Sequence, residues 1–451
     1  MVVARLECAN MNGTNRILKI VRIGCFLLLL CNLTGCLFQS PKILKTAASK
    51  AETIQPVYTP PNPNVKATPS TEEIITRTST IAPILTPTLA ITAAPQTDMK
   101  ENCLTILPEL PKDINLKGGI ILENHGGADK NYLYDLETKT EKVISISQSD
   151  RFFRVSPDGK WYAYEDLQNK LVRVFSSDQK PIRIIGLENS WGVYDWLNNE
   201  ILLIMGSPEG DTGSGDLAIP FIAINPFTNQ RTTLEQNYPG INHMDWPGAG
   251  NTVYNPQLTM VVYYGNFNEG ADRGAILWDM RKKKSIAKIP NTYNSGPPYS
   301  APIWSPDGSK FIYTNDNDEV MLANDDGSVS QITYLNKDGF QFSPNFFSWS
   351  PDEEKIAFWL NNNNLKRESL AVLDLSTGEI TDYCITAGYD PSRMVYDPAP
   401  EWSQDGNFLV MEANYLQEIG GSDVVIVDMS KNLAAKIEEN FIPMGFLVGI
   451  Q

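Results

Sequence analysis

The chain has 451 residues, with 53 Asp and Glu against 37 Lys and Arg and a formal net charge of −16. So acidic a chain is poorly matched to nucleic acid or to anionic lipid, whose phosphates call for Lys and Arg. Its only histidines, His125 and His243, leave little material for His-rich metal clusters or a Ser-His-Asp site.

At the N-terminus Arg16, Lys19 and Arg22 precede the apolar run 23–31 and then Leu33-Thr34-Gly35-Cys36. A basic segment, a short apolar core and small residues before a cut site predict a secretory signal peptide over 1–35. The apolar run is shorter than the roughly 20 residues a membrane span needs. Leu-Thr-Gly-Cys matches the bacterial lipoprotein box, so Cys36 is expected to carry the lipid, and the protein to sit on the cell envelope outside the cytoplasm. Met1 and Met11 both suit as the start. Over 36–102 the composition turns to Thr, Pro, Ala, Ser and Lys, with Pro56, Pro60, Pro61, Pro63, Pro69, Pro83, Pro87 and Pro95. This stretch buries too little apolar surface to offset its ordering entropy and reads as a disordered tether.

Cys8, Cys25 and Cys31 leave with the signal and Cys36 takes the lipid. Cys103 and Cys384 remain, and an even remainder in an exported protein predicts a disulfide between them.

From Cys103 onward one phrase recurs. Trp304-Ser305-Pro306-Asp307-Gly308 precedes the β run from Phe311, and Val155-Ser156-Pro157-Asp158-Gly159 precedes Trp161-Tyr162-Ala163-Tyr164. Trp349-Ser350-Pro351-Asp352-Glu353 and Trp402-Ser403-Gln404-Asp405-Gly406 repeat it, and Trp196-Leu197-Asn198-Asn199 and Tyr254-Asn255-Pro256-Gln257 are degenerate copies. Pro and Gly set the turn, while the aromatic and β-branched residues after it suit a pleated strand. Each copy continues into a strand ending in Asp, as in Ala371-Val372-Leu373-Asp374 or Val425-Ile426-Val427-Asp428. The slot residues 155, 196, 254, 304, 349 and 402 are spaced by 41, 58, 50, 45 and 53 residues, near the roughly 40–50 of a propeller blade.

In these motifs the region from about 150 to 437 resembles the TolB-type, WD-like β-propeller repeat family. The expected fold is all-β, a β-propeller of four-stranded antiparallel blades over 103–451. Before the first copy, strands at 119–122, 132–136 and 142–144 supply a blade lacking its first strand. The lone strand in 441–449 completes it, because a closed ring leaves no unpaired edge. Six copies and this composite make seven blades, or six if one weak copy is an insertion.

The residues that look most chemical read as structural. The Asp of each Ser-Pro-Asp-Gly is a turn residue, and the slot tryptophans pack between blades. Arg281-Lys282-Lys283-Lys284 is a solvated turn. Ca²⁺ is the one ion for which oxygen-rich stretches exist, at 315–319 and 211–216, but neither has EF-hand spacing, and turns account for them better. No catalytic residue, metal ligand or cofactor is assigned.

The resemblance implies interactions with envelope proteins, and loop length suggests where. Turns after the first and third strands are short, whereas connections at the other end span 206–216, 236–250, 265–274, 291–302, 335–345, 387–400 and 414–422. They carry Tyr238, His243, Trp246, Tyr293, Tyr299, Phe340, Tyr389, Arg393, Tyr396 and Tyr415, the residue types enriched at binding hot spots. The expectation is a monomeric, membrane-anchored propeller that binds or scaffolds a protein, peptide or glycan through this face. The alternative is an extracellular polysaccharide-active propeller enzyme, a lyase or glycosidase, marked by an acidic cluster at the channel mouth. Replacing the lipid-bearing thiol tests the anchor: Cys36→Ala should leave the precursor uncleaved or free of membranes. Intact-mass spectrometry and membrane fractionation check this, and an unchanged mature mass and partition would refute it.

Overall fold

A computed structural model describes residues 99–450, except 112–113, 115, 125–129, 146–149, 188–189, 207–219, 236–237, 240–251, 268–271, 291–301, 337–341, 389–398 and 417–420. The described residues all belong to the compact unit Pro87–Gln451. They form seven sheets, each built on four antiparallel strands that are consecutive in sequence in all but the first, which is a seven-bladed propeller. The signal segment, Cys36 and the tether up to residue 98 lie outside the described residues.

The first blade runs from inside outward as Phe441–Leu447, Gly119–Asn124, Asn131–Asp135 and Thr140–Ser145. The expected closure is therefore present: the C-terminal strand is the inner strand of the N-terminal blade, with Gly119 opposite Leu447 and Asn124 opposite Phe441. The second blade is Asp150–Val155, Trp161–Asp166, Leu171–Ser176 and Pro181–Gly186; the third is Ser190–Trp196, Leu202–Gly206, Phe221–Ile224 and Arg231–Thr233. Thr252–Tyr254, Met260–Phe267, Asp272–Asp279 and Lys284–Pro290 make the fourth, and Ile303–Trp304, Lys310–Thr314, Val320–Asn324 and Val329–Gln331 the fifth. Phe342–Trp349, Lys355–Asn362, Arg367–Asp374 and Ile380–Thr386 make the sixth. Glu401–Trp402, Phe408–Leu416, Gly421–Asp428 and Leu433–Glu439 make the seventh.

Each blade packs a neighbour on both faces, so its middle strands read as continuous apolar runs rather than alternating ones. Ile356 to Leu360 are all buried, as are Leu370 to Leu373. The slot tryptophans lie in these interfaces, as expected. Their indole nitrogens also bind across them: Trp196 donates to Arg154 O, Trp304 to Val253 O, Trp349 to Ile303 O and Trp402 to Ser348 O, each at 3.1 Å. In every case the acceptor is the residue just before the slot of the preceding blade.

The turn after each inner strand is built from its own side chains. Ser305 Oγ donates to Asp307 Oδ1 at 2.6 Å, and Asp307 Oδ1 accepts the Ser309 amide at 2.9 Å. Ser350 with Asp352 and Ser403 with Asp405 repeat the arrangement. Gly308, with φ of 66°, supplies the left-handed residue that ends the turn. Glu353 holds the same position at 60° in the sixth blade, where its carboxylate accepts the Asp307 amide at 2.7 Å and pairs with Lys310 at 3.1 Å. In the weak copy Asn255 does both jobs, its Oδ1 accepting the Thr259 and Met260 amides. The Asp that closes the third strand caps the next turn in the same way: Asp279 Oδ1 accepts the amides of Arg281 and Lys282, and the basic run stays exposed.

One feature lay beyond the repeat pattern. Pairing reaches back to Met99, ahead of Cys103, where the propeller was expected to begin. Met99–Glu101 adds a parallel fifth strand outside the sixth blade, and Ile106–Leu107 does the same for the seventh. Between them Cys103 is bonded to Cys384 of the sixth blade's outer strand, with Cα atoms 4.8 Å apart. The entering chain thus straps two outer edges before it becomes the first blade.

The indole bonds make a measurable claim. Trp349→Phe should lose about 1 kcal/mol, for one hydrogen bond and one stranded carbonyl, and Trp349→Ala about 3–5 kcal/mol. Urea unfolding of both variants checks this; a Trp349→Phe variant as stable as wild type would mean that the ring alone matters and the indole bond does not.

Candidate functional site

The two ends of the blades differ. At the end carrying the inner turns, neighbouring blades are joined turn to turn: Asp158 N to Asn199 Oδ1, Asn198 Nδ2 to Pro256 O, Gln257 Nε2 to Asp307 O and Asp307 N to Glu353 Oε1, all at 2.6–2.9 Å. Gln404 Nε2 to Phe446 O and Val448 N to Gly159 O carry the series past the closure. At the opposite end the connections from Gly206 to Phe221, Thr233 to Thr252, Pro290 to Ile303 and Thr386 to Glu401 begin and end.

Of the binding residues expected there, His243, Trp246, Tyr293, Tyr299, Tyr389, Arg393 and Tyr396 lie outside the described residues. Tyr238 is described, and it does not serve a binding face. It is 5% exposed, stacks on Tyr263 at 4.9 Å and meets Trp278 edge-on. Burying the ring between the third and fourth blades outweighs presenting it to a ligand.

The described residues of this end do enclose one polar cavity, of about 340 Å³, between the first and second blades. Ser145, Asp150, Tyr164, Asp166, Asn169 and Arg173 line it with Gln168, Val143 and Ile144. The geometry comes from strand ends: Ser145 ends the first blade's outer strand, Asp150 begins the next inner strand, and Asp166 and Arg173 flank a short turn. Arg173 donates to Asp166 Oδ2 through Nε at 2.9 Å and Nη2 at 2.7 Å, and Asn169 Nδ2 reaches both Asp166 oxygens. Burial works against the Asp166 charge, but the Asn169 and Arg173 bonds outweigh it and hold the carboxyl below its usual range. Asp150 is the opposite case. Ser145 Oγ donates to its Oδ2 at 2.5 Å, while Oδ1 has no hydrogen-bond partner among the described residues, and burial pushes its carboxyl up.

A second polar feature was missed by sequence reasoning. Glu123 and Glu165 occupy the same place in the second strands of the first two blades and are 2% and 1% exposed. Glu123 Oε2 accepts the Phe153 amide at 2.9 Å, and Glu165 accepts that of Val193. Both amides follow a residue at positive φ in a bulged inner strand, Phe152 at 55° and Gly192 at 152°. Gly192 is required there, because a Cβ would lie 1.0 Å from Glu165 Oε1. The available signal was an acid ending an apolar run, Ile120-Ile121-Leu122-Glu123 and Tyr162-Ala163-Tyr164-Glu165.

The positions before the slots carry Arg154, Asp195, Val253, Ile303, Ser348 and Glu401, a mixed set. Arg154 is turned to backbone, donating to Tyr194 O and Phe153 O. Among the described residues no group of three or more His, Cys, Asp and Glu could hold a metal ion. In the oxygen-rich stretch 315–319, Asn315 Oδ1 accepts the Asn317 and Glu319 amides, and the Glu319 carboxylate takes Thr333, Leu335 and Asn336. The stretch 211–216 lies outside the described residues.

No family model and no curated protein sequence matches the chain. Solved structures similar to it are propellers of several kinds. TolB from Acinetobacter baumannii is 15% identical with a TM-score of 0.39, over 74% of this chain and 68% of that one. An oligogalacturonate lyase from Vibrio parahaemolyticus is 15% identical at 0.42, over 71% and 86%. The Swd1 β-propeller domain of Myceliophteria thermophila is 13% identical at 0.42, over 71% and 95%. At these values no activity is carried over to this chain.

Glu165 gives a pH dependence. Burial pushes it up to about 7, against Arg151, the Val193 amide and Arg154. The folded chain then keeps a proton that the unfolded chain releases in the ordinary carboxylate range. Stability therefore falls as pH rises through that window and levels off above about 7. Glu165→Gln removes this contribution, so the variant should gain roughly 3 kcal/mol on wild type between about pH 4 and pH 8. Urea unfolding at both values measures it; a constant difference would refute it.

Proposed function

We propose that this protein is a lipid-anchored, monomeric binding propeller of the bacterial cell envelope, held outside the cytoplasm by Cys36 and the tether. Its long-connection end recognises a protein, peptide or glycan. The observation that carries this reading is the asymmetry of the two ends. One has short turns bonded to one another, whereas the longest connections all start and finish at the other. A rigid scaffold with variable segments at one end is the usual arrangement for a binding surface. Supporting it, the polar cavity between the first two blades opens among strand ends on that same side.

Trp246, Tyr299 and Tyr396 are the residues to test. Capture of envelope components by the full chain in membranes should fall about tenfold or more for each alanine variant, with unfolding free energies changed by less than about 1 kcal/mol. Capture that survives all three substitutions would place recognition elsewhere. Unfolding that collapses with each would make the rings part of the core.

A further inference from the structure

The cavity between the first and second blades has a chemistry of its own. Its one fixed cation, Arg173, is already bound through two nitrogens to Asp166. Asn169 is bound to the same carboxylate. That leaves Asp150 with only the through-space field of Arg173 and no bond from it, steered by Ser145 through one oxygen and, among the described residues, without a hydrogen-bond partner at the other. The wall thus carries a formal excess of one negative charge, in a chain whose net charge is −16. A buried carboxylate oxygen with no donor is costly, and a charged donor supplied from outside relieves that cost.

We propose that this cavity seats an ammonium or guanidinium group, as carried by a lysine or arginine side chain of the bound partner. The proposal rests on the binding reading above and names the chemistry of one contact. Val143 and Ile144 offer apolar wall for the methylene stem, while the charged head meets Asp150. The volume, about 340 Å³, suits a side chain and lies at the small end of ligand pockets. A sugar fits less well, because the aromatic ring of the wall, Tyr164, is buried and stacks on Phe153 and Phe175. An anion fits less well too, since Arg173 is engaged and Asp150 would repel it.

The probes are n-butylammonium and n-butylguanidinium chloride, titrated into the full-length chain in detergent micelles. Sodium chloride at equal ionic strength controls for screening, and methyl N-acetylglucosaminide is the neutral comparator. The expected result is a saturable rise in Tm with both cations. It should weaken about tenfold or more in Asp150→Asn, which keeps the side-chain shape but not the charge. Gln168→Lys is the second variant: the exposed rim residue is replaced by a cation, and binding should be lost with no buried bond disturbed. No saturable response in wild type, an equal response in both variants, or equal saturation by the neutral sugar would overturn the proposal. Amine binding reads the cavity and partner capture reads the loops, so either reading can fail while the other stands.

Discussion

Seven sheets that pack mainly face to face need something to fix their rotation about the central axis, and here a bond from each slot tryptophan to the blade before it does so at four seams. The fifth and seventh inner strands, Ile303–Trp304 and Glu401–Trp402, are only two residues long. So short a ladder holds weakly. The slot tryptophan adds both a large buried ring and a directed N–H to the preceding inner strand, the combination that suits Trp to such a seam. Four seams use it, those entering the third, fifth, sixth and seventh blades.

The remaining seams use other chemistry. Tyr254 sends its hydroxyl to Glu235 O instead, at 2.6 Å. Between the first and second blades the slot residue is Val155, and the buried Glu123 carboxylate holds the Phe153 amide. The third blade has both devices, Trp196 and Glu165. An indole N–H does not titrate near neutrality, whereas burial pushes the Glu165 carboxyl up to about 7. Acid and base therefore act on the seam between the second and third blades, where Trp196 adds a bond that pH does not touch. The closure is backed from outside by the strap: Asn102 and Leu104 donate to Asp382 O and Tyr383 O, and the disulfide fixes the strap to the sixth blade. Joining residues 281 apart in sequence restricts the unfolded chain strongly.

The sequence made the blades legible because each repeat encodes its own turn. Ser-Pro-Asp-Gly makes every bond of the inner turn from neighbouring residues, and the Asp ending the third strand does the same for the next. Blade number and the composite first blade followed from counting such local units. The strap did not follow, because Met99-Lys100-Glu101 is exposed along its length and has no alternation; its partners are 281 residues away. Tyr238 was misread for a related reason. A ring in a long connection looks the same in sequence whether it faces water or folds back onto Tyr263. The cavity was invisible because Asp150, Asp166 and Arg173 meet its outer wall only once two blades are side by side.

The distribution of unmet hydrogen-bonding capacity separates the two ends further. Among the described residues, buried polar atoms without a hydrogen-bond partner include Asp150 Oδ1, Glu165 Oε2 (3.7 Å from Arg151), Thr252 Oγ1, Thr314 Oγ1, Asn345 Oδ1 and Arg367 Nε, with Gln179 Nε2 the exception in a turn at the other end. Asp150 and Thr252 begin inner strands, Glu165 and Thr314 stand at or beside the far ends of second strands, and Arg367 begins a third. All five positions are at the long-connection end, and Asn345 lies in the half of its strand nearest it. Apart from Gln179, the turn end spends its buried donors and acceptors on itself, through Ser-Asp pairs and turn-to-turn bonds. Buried polar groups need partners. In this propeller most of the buried polar atoms left without a hydrogen-bond partner stand at the end to which the proposed binding face is assigned.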